Sequence, residues 1–296
     1  MKEGEKGVLA FKRELKELLS GSKFVEAPNQ LALWMMEDFL KLSPNDILCS
    51  PQKMLSSEEQ RLVLEVAEEI LKGRPYQHLL GAVPFLDLSI QVSPAVLIPR
   101  PETEYLVHHI IQRHQCQKGL AVLDLCCGSG CCVLALAHHL KLRKAVGLDF
   151  STKALKVAEN NAQQLGLDAD FWQMNLLELS PEEGKQITAA NWDIWVCNPP
   201  YVRPSEQQEM STKVLAHEPS AALFVPEADP MLFYRQVLAL AQAAQVPHLY
   251  FELNEALYED YLRLLQSFGI CDYHFSKDLN EKWRYLYCNP QARDAV

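Results

Sequence analysis

Apolar residues recur at helical spacing through residues 8–72 and then change period. Val8, Leu9, Phe11, Leu15, Leu18 and Leu19 mark one face of a first helix that ends at Gly21. Leu31, Leu33, Trp34, Met35, Phe39 and Leu40 mark a second, apolar nearly all round and therefore expected to be well buried. Its Met35-Met36 pair is assigned to the core. A third opens at Ser56-Ser57-Glu58-Glu59, where Ser56 and Glu59 have capping-box spacing. It continues through Leu62, Leu64, Val66, Ile70 and Leu71 and stops at Gly73, before Pro75. Phe85-Leu86-Asp87-Leu88-Ser89-Ile90-Gln91-Val92 then alternates in the manner of a strand, between prolines, so that 82–100 reads as a connecting hairpin.

From about residue 119 strand and helix signals alternate, which predicts a largely parallel sheet with helices on both faces. Seven strands are expected, at 120–125, 144–149, 171–174, 193–197, 248–253, 271–276 and 284–288, the last two as a hairpin. Helices are expected at 133–140, 153–165, 231–244 and 256–268. The polar stretches 180–190 and 203–218 read as surface loops, and His108-His109 and His138-His139 as residues on helix surfaces.

Composition narrows the class. A chain of 296 residues suits one large or two modest domains, and no run approaches the ~18–20 apolar residues of a membrane span. The charged start Met1-Lys2-Glu3-Gly4-Glu5-Lys6 is unlike a signal peptide. Nine cysteines, including the adjacent pairs Cys126-Cys127 and Cys131-Cys132, form no disulfide framework and match no zinc spacing, which predicts a reducing cytoplasm and no metal. The net charge of −10, without a Lys/Arg block, favours a protein or small molecule over nucleic acid as the thing bound.

The chemistry is concentrated at two strand ends. Asn198-Pro199-Pro200-Tyr201 follows the apolar run Trp192-Asp193-Ile194-Trp195-Val196-Cys197, at the edge where open α/β sheets hold ligands. Asn offers a carbonyl acceptor, the two prolines stiffen the loop and present their carbonyls, and Tyr offers a flat face. That set suits a planar amide or amine whose two N–H groups are gripped. Asp124-Leu125-Cys126-Cys127-Gly128-Ser129-Gly130 lies between the first strand and its helix, and Asp149 ends the second strand nineteen positions after Gly130. Glycines let a ligand approach the backbone, and an acid at that distance can accept from both ribose hydroxyls. A nicotinamide dinucleotide and S-adenosylmethionine both fit. The third glycine of the dinucleotide fingerprint is replaced by Val133, and with Asn198–Tyr201 the balance moves to methyl transfer.

The chain resembles the HemK/PrmC family of S-adenosylmethionine-dependent methyltransferases, over nearly its whole length. Gly73-Arg74-Pro75-Tyr76-Gln77-His78-Leu79-Leu80-Gly81, Ile98-Pro99-Arg100-Pro101-Glu102-Thr103-Glu104, His217-Glu218-Pro219 with Ala222-Leu223, and Lys277-Asp278-Leu279 with Arg284 resemble the family's segments around the shared Asn-Pro-Pro-Tyr. The resemblance implies a class I methyltransferase, Rossmann-like seven-stranded fold. It implies an N-terminal helical substrate-docking domain at 1–81, a β-hairpin linker at 82–100 and a catalytic domain at 101–296. It also implies methylation of a glutamine nitrogen in the Gly-Gly-Gln motif of peptide-chain release factors, supporting translation termination, with no direct nucleic-acid substrate. Cys126 stands where the family usually has Gly, Asn175 where an acid is common near the adenine, and Asn254 where Gly is usual.

The site expected from all this is as follows. Asn198 and the Pro199 carbonyl accept the two N–H groups of the substrate amide, Pro200 stiffens the loop and Tyr201 packs on the amide plane. Asp124 orients the ammonium of the cofactor's methionine portion. Cys126, Cys127, Gly128, Ser129 and Gly130 form the cofactor-binding turn, Asp149 holds the ribose, Asn175 and Leu176 meet the adenine, and Asn198 also borders the cofactor. Arg100 and Glu104 are expected to form a structural pair. Two competing possibilities keep the fold. One takes an exocyclic base amine as substrate by base flipping, and the other has a cofactor-binding scaffold without catalysis.

Overall fold

The structure, a computed structural model, describes residues 5–292. It divides into two compact units: one runs to Leu80 and takes in Ser211–His217, the other holds Gly81–Met210 and resumes at Glu218. Among the described residues no helix is long and apolar enough to cross a membrane.

The first unit contains α1 (Val8–Leu19), α2 (Pro28–Leu40), α3 (Pro44–Cys49), α4 (Ser57–Leu71) and α5 (Tyr76–Leu80), with a short antiparallel pair of β1 (Lys6–Gly7) and β2 (Met54–Leu55). α1 buries Val8, Phe11, Leu15 and Leu19, but Leu18 is 41% exposed. One residue is ~100° of helix rotation, enough to carry Leu18 off the stripe. α2 is less well buried than expected: Ala32, Met35 and Met36 face the core, whereas Trp34 is 48% exposed. α4 starts as its spacing predicts, Ser56 Oγ accepting from Glu59 N at 3.2 Å and Glu59 Oε2 accepting from Ser56 N at 2.7 Å. α3 has the same device at Ser43 and Asp46, with Pro44 in the first turn, and was overlooked because six residues show no period. Deleting a fully buried side chain such as Leu15 to Ala would cost about 2–5 kcal/mol.

The second unit opens with the hairpin β3 (Ala82–Phe85) and β4 (Leu88–Gln91), then α6 (Pro101–His114). It continues through β5 (Lys118–Leu125), α7 (Cys131–His139), β6 (Lys141–Asp149), α8 (Thr152–Leu165), β7 (Asp170–Gln173), α9 (Pro181–Ala189) and β8 (Ile194–Cys197). α10 (Thr212–His217) falls in the first unit's inserted segment, after which come α11 (Leu232–Ala243), β9 (His248–Glu252), α12 (Tyr258–Ser267), β10 (Tyr273–Lys277) and β11 (Trp283–Cys288). Two expected loops are therefore wrong in part. Segment 180–190 is mostly α9, started by a Ser180–Glu183 capping box and anchored by buried Ile187. Segment 203–218 holds a 3-10 turn at Pro204–Glu209 and α10.

The seven strands form one sheet in the order β10-β11-β9-β8-β5-β6-β7, parallel except that β11 runs against both neighbours. Strand residues alternate between two apolar layers, as the two-residue period requires. Leu120 and Val122 of β5 face α6, α7, α8 and the hairpin; Ala121, Leu123 and Leu125 face α9, α11 and α12. Phe85, Leu88, Ile90 and Val92 join the first of these layers, so the hairpin packs as part of this unit. From β5 the chain builds outward to β7, then returns to the other side of β5 as β8. That reversal is a topological switch point, with Leu125 paired beside Cys197 at the carboxyl edge.

Candidate active site

The turn after β5 is held by its own backbone and by two buried carboxylates. Cys126, Gly128 and Gly130 all have positive φ, at 65°, 55° and 78°. Gly130 is also tight: a Cβ there would lie 3.1 Å from the Ala158 methyl. Cys126 is the residue that pays no attention to the rule, an L side chain in a conformation that favours glycine, with its thiol in hydrogen-bonding reach of buried Cys197. Gly128 N donates to Asp149 Oδ2 at 2.9 Å and Ser151 N to Oδ1 at 2.9 Å, which fixes the Asp149 carboxylate at the end of β6. Burial raises its pKa against those hydrogen bonds. Asp124, 2% exposed, accepts from Val133 N at 3.1 Å, and burial pushes it up to about 8. Ser129 Oγ is buried with no partner among the described residues.

The loop after β8 is held differently, by side chains from distant segments. Asn198 Nδ2 donates to Thr103 Oγ1 at 3.1 Å, and Thr103 donates to Glu252 Oε2 at 2.7 Å. Tyr201 donates through its hydroxyl to Glu252 Oε1 at 2.9 Å. Glu252 is fully buried at the end of β9; desolvation raises its pKa, while the Thr103 and Tyr201 hydrogen bonds and the Arg284 charge pull the other way. Asn254 Nδ2 donates to the Tyr201 carbonyl at 3.1 Å and to Glu206, and Asn254 Oδ1 accepts from Ala256 N at 3.0 Å. Asn254 thus has a structural use of its own, tying the loop down.

These two loops border one cavity of about 440 Å³, within the range of small-ligand sites. Asp124, Cys126, Cys127, Gly128, Ser129, Asp149, Asn175, Leu176, Asn198 and Pro200 line it. Gly130, Pro199 and Tyr201 do not: Gly130 is the cap of α7, and Tyr201 turns its hydroxyl back onto Glu252. Asn175 lies at the wall with its amide turned to Glu178, Nδ2 to Oε2 at 2.9 Å. Arg100 does not pair with Glu104. Its guanidinium meets Glu218 Oε1 at 2.6 Å, whose other oxygen accepts from Ile98 N at 2.9 Å.

Sequence reasoning missed three supporting residues. Thr103 reads in the sequence only as part of the segment 98–104, and Glu252 only as a position in the strand at 248–253. Asn161 of α8 was not singled out, yet its buried amide donates to the Ser129 and Gln91 carbonyls and accepts from Gln91 N at 2.7 Å, joining the turn to the hairpin. A polar residue on the otherwise apolar face of α8, with Ala154, Ala158 and Ala162, was the available signal.

Known proteins match both units. Residues 116–271 match the methyltransferase domain family and residues 12–81 the PrmC N-terminal domain family. The release factor glutamine methyltransferase of Bacteroides thetaiotaomicron is 34% identical over 266 residues, covering 89% of this chain and 93% of that one. The proteins of the same name from Flavobacterium psychrophilum and Chlamydia trachomatis are 35% and 33% identical, over 86% and 96% of this chain and 89% and 94% of theirs. Among solved structures, the hMettl16 catalytic domain, in complex with an RNA hairpin, shares the fold at a TM-score of 0.55 and 13% identity, covering 94% of this chain and 98% of that one.

Proposed function

The chain belongs to the release factor glutamine methyltransferases, and from that premise we propose the reaction and the roles of its residues. The protein transfers a methyl group from S-adenosylmethionine to the side-chain nitrogen of the glutamine in the Gly-Gly-Gln motif of a release factor. One observation carries this: an asparagine amide pinned through its nitrogen, with Oδ1 accepting no hydrogen bond from the described residues, beside buried carboxylates at the switch point. A fixed acceptor suits an N–H donor.

The cavity residues fit the cofactor. Ser129 Oγ is a buried hydroxyl in its wall without a partner among the described residues, Asp149 stands at the strand end suited to ribose hydroxyls, and Asp124 lies below the turn as an acid for the ammonium. Cys126–Gly130 would meet the amino-acid portion, and Asn175 with Leu176 the adenine. Bound there, S-adenosylmethionine supplies an electrophilic methyl on a positively charged sulfur.

An amide nitrogen is a weak nucleophile because its lone pair is delocalised into the carbonyl. Asn198 Oδ1 and the carbonyl of Pro199, which is not itself in the cavity lining but stands between the lining residues Asn198 and Pro200, accept its two N–H groups and so aim the nitrogen and stabilise the positive charge that grows on it. Tyr201, anchored to Glu252, keeps the loop in place; it takes this role over that of a stacking wall. The first unit is the docking element for the protein substrate, which its exposed Trp34 and Leu48 support. Free cysteines fit the cytoplasm where release factors work.

The test is incubation of the enzyme with labelled S-adenosylmethionine and, separately, purified release factor, its Gly-Gly-Gln peptide and RNA, followed by mapping of the modified position by mass spectrometry. Label on the glutamine of the intact factor, above that on the peptide, is expected. Label on Lys, Arg or RNA would refute the assignment, and equal rates on factor and peptide would refute docking by the first unit.

A further inference from the structure

Thr103 and Glu252 determine more than the position of Asn198. A carboxamide is nearly symmetric in shape, and turning it by half a rotation exchanges an acceptor for a donor. Which end faces the cavity is decided by what holds the other end. Here the holder is Thr103, whose hydroxyl has one proton. That proton lies between Thr103 Oγ1 and Glu252 Oε2, 2.7 Å apart, and the second Glu252 oxygen is taken by the Tyr201 hydroxyl. An ionised carboxylate accepts and never donates. With its proton directed at Glu252, Thr103 can only accept from Asn198, and Asn198 must present Nδ2 to it, as the 3.1 Å contact shows. Thr103 and Glu252, 3% and 2% exposed, are shielded from water that would otherwise offer either polarity, while Asn198 is half-buried at the cavity wall.

We infer that the Thr103–Glu252 pair is a specificity-determining relay, which fixes Asn198 Oδ1 toward the substrate and so makes the site select a glutamine amide over a glutamate carboxylate. The inference rests on the proposed glutamine-methylating function. An amide brings N–H donors to Asn198 Oδ1 and the Pro199 carbonyl. A carboxylate brings only acceptors and meets two unpaired oxygens, a repulsive element built into the site. If the Asn198 amide turned over, its NH₂ would welcome the carboxylate and repel the amide. Thr103 and Glu252 are positioning residues, since they act through Asn198.

The experiment measures binding of release factor carrying Gly-Gly-Gln or Gly-Gly-Glu to the enzyme saturated with S-adenosylhomocysteine. Wild type is expected to prefer the Gln form about a hundredfold or more, as sites built to pair a substrate N–H do. Thr103→Val keeps the shape and removes the hydroxyl, and should shrink that preference to about tenfold or less, the loss of one buried polar pairing. It should leave S-adenosylhomocysteine affinity unchanged. Thr103→Ser keeps the hydroxyl and should keep the wild-type preference. A Thr103→Val enzyme that still prefers Gln as strongly as wild type would overturn the relay, and so would a Thr103→Ser enzyme that loses the preference; the Ser variant decides the matter if the Val variant does not fold. If wild type shows methyl transfer to no glutamine, the proposed function fails first, and the two failures are told apart.

Discussion

The turn after β5 and the loop after β8 end neighbouring parallel strands and border the same cavity, yet they are built by opposite means. The first is local. Its shape comes from backbone angles at Cys126, Gly128 and Gly130 and from N–H groups converging on Asp149 and Asp124. The second is assembled from afar, by Thr103, Glu252 and Asn254, the first two of which are 149 positions apart. A cofactor of constant shape can be held by backbone. A substrate amide that must be distinguished from a carboxylate needs side chains whose polarity is set.

The contrast predicts that damage will separate by region. The largest effect is expected from Asn198→Ala. Turnover should fall by about a hundredfold to a thousandfold, the usual result of removing a transition-state hydrogen-bond partner. S-adenosylmethionine affinity by calorimetry should stay near wild type. Equal losses in both would erase the division between the two regions. Asp149→Ala should do the reverse, weakening cofactor binding by about 1–3 kcal/mol through lost charge-assisted hydrogen bonds. Its turnover at saturating cofactor should be changed far less, which steady-state kinetics with varied cofactor will show.

The smallest effect, and the sharpest on the local side, is Cys126→Gly. A non-glycine residue in the left-handed region costs on the order of 1–3 kcal/mol. Glycine's freedom in the unfolded chain takes back about 0.5–1 kcal/mol. The balance favours a small gain in stability, read as a higher thermal midpoint, with activity kept or raised. A clear fall in midpoint would mean that the Cys126–Cys197 thiol contact outweighs the backbone term.

The same contrast explains what was legible in the sequence. Strand periods, the two glycines and the acid at the end of β6 are local signals, and they located the sheet and the edge at which the cavity lies. α3 and α9 were missed although capping boxes at Ser43 and Ser180 announce them, because short or polar helices leave no apolar stripe. Arg100 was matched to Glu104 by nearness along the chain, whereas folding brings it Glu218. Thr103 and Glu252 meet only after the sheet has closed, so no window of sequence shows them as partners. Asn198–Tyr201 was legible as a unit from its residue chemistry at the end of an apolar run, but not that the Tyr201 hydroxyl would turn back onto Glu252.

The lone antiparallel strand has a consequence for the timing of synthesis. β11 is the last of the seven strands of this sheet in chain order, and it slots between β9 and β10, both of which precede it. Because it runs backwards, its first residues arrive at the carboxyl edge of the parallel strands: Arg284 there donates to the Leu253 carbonyl at 3.1 Å and pairs with Asp278. A chain still being translated can order its early segments first, but the support beside Glu252 and Asn254 waits for Arg284. A growing chain therefore carries an unfinished cavity wall until β11 has been made.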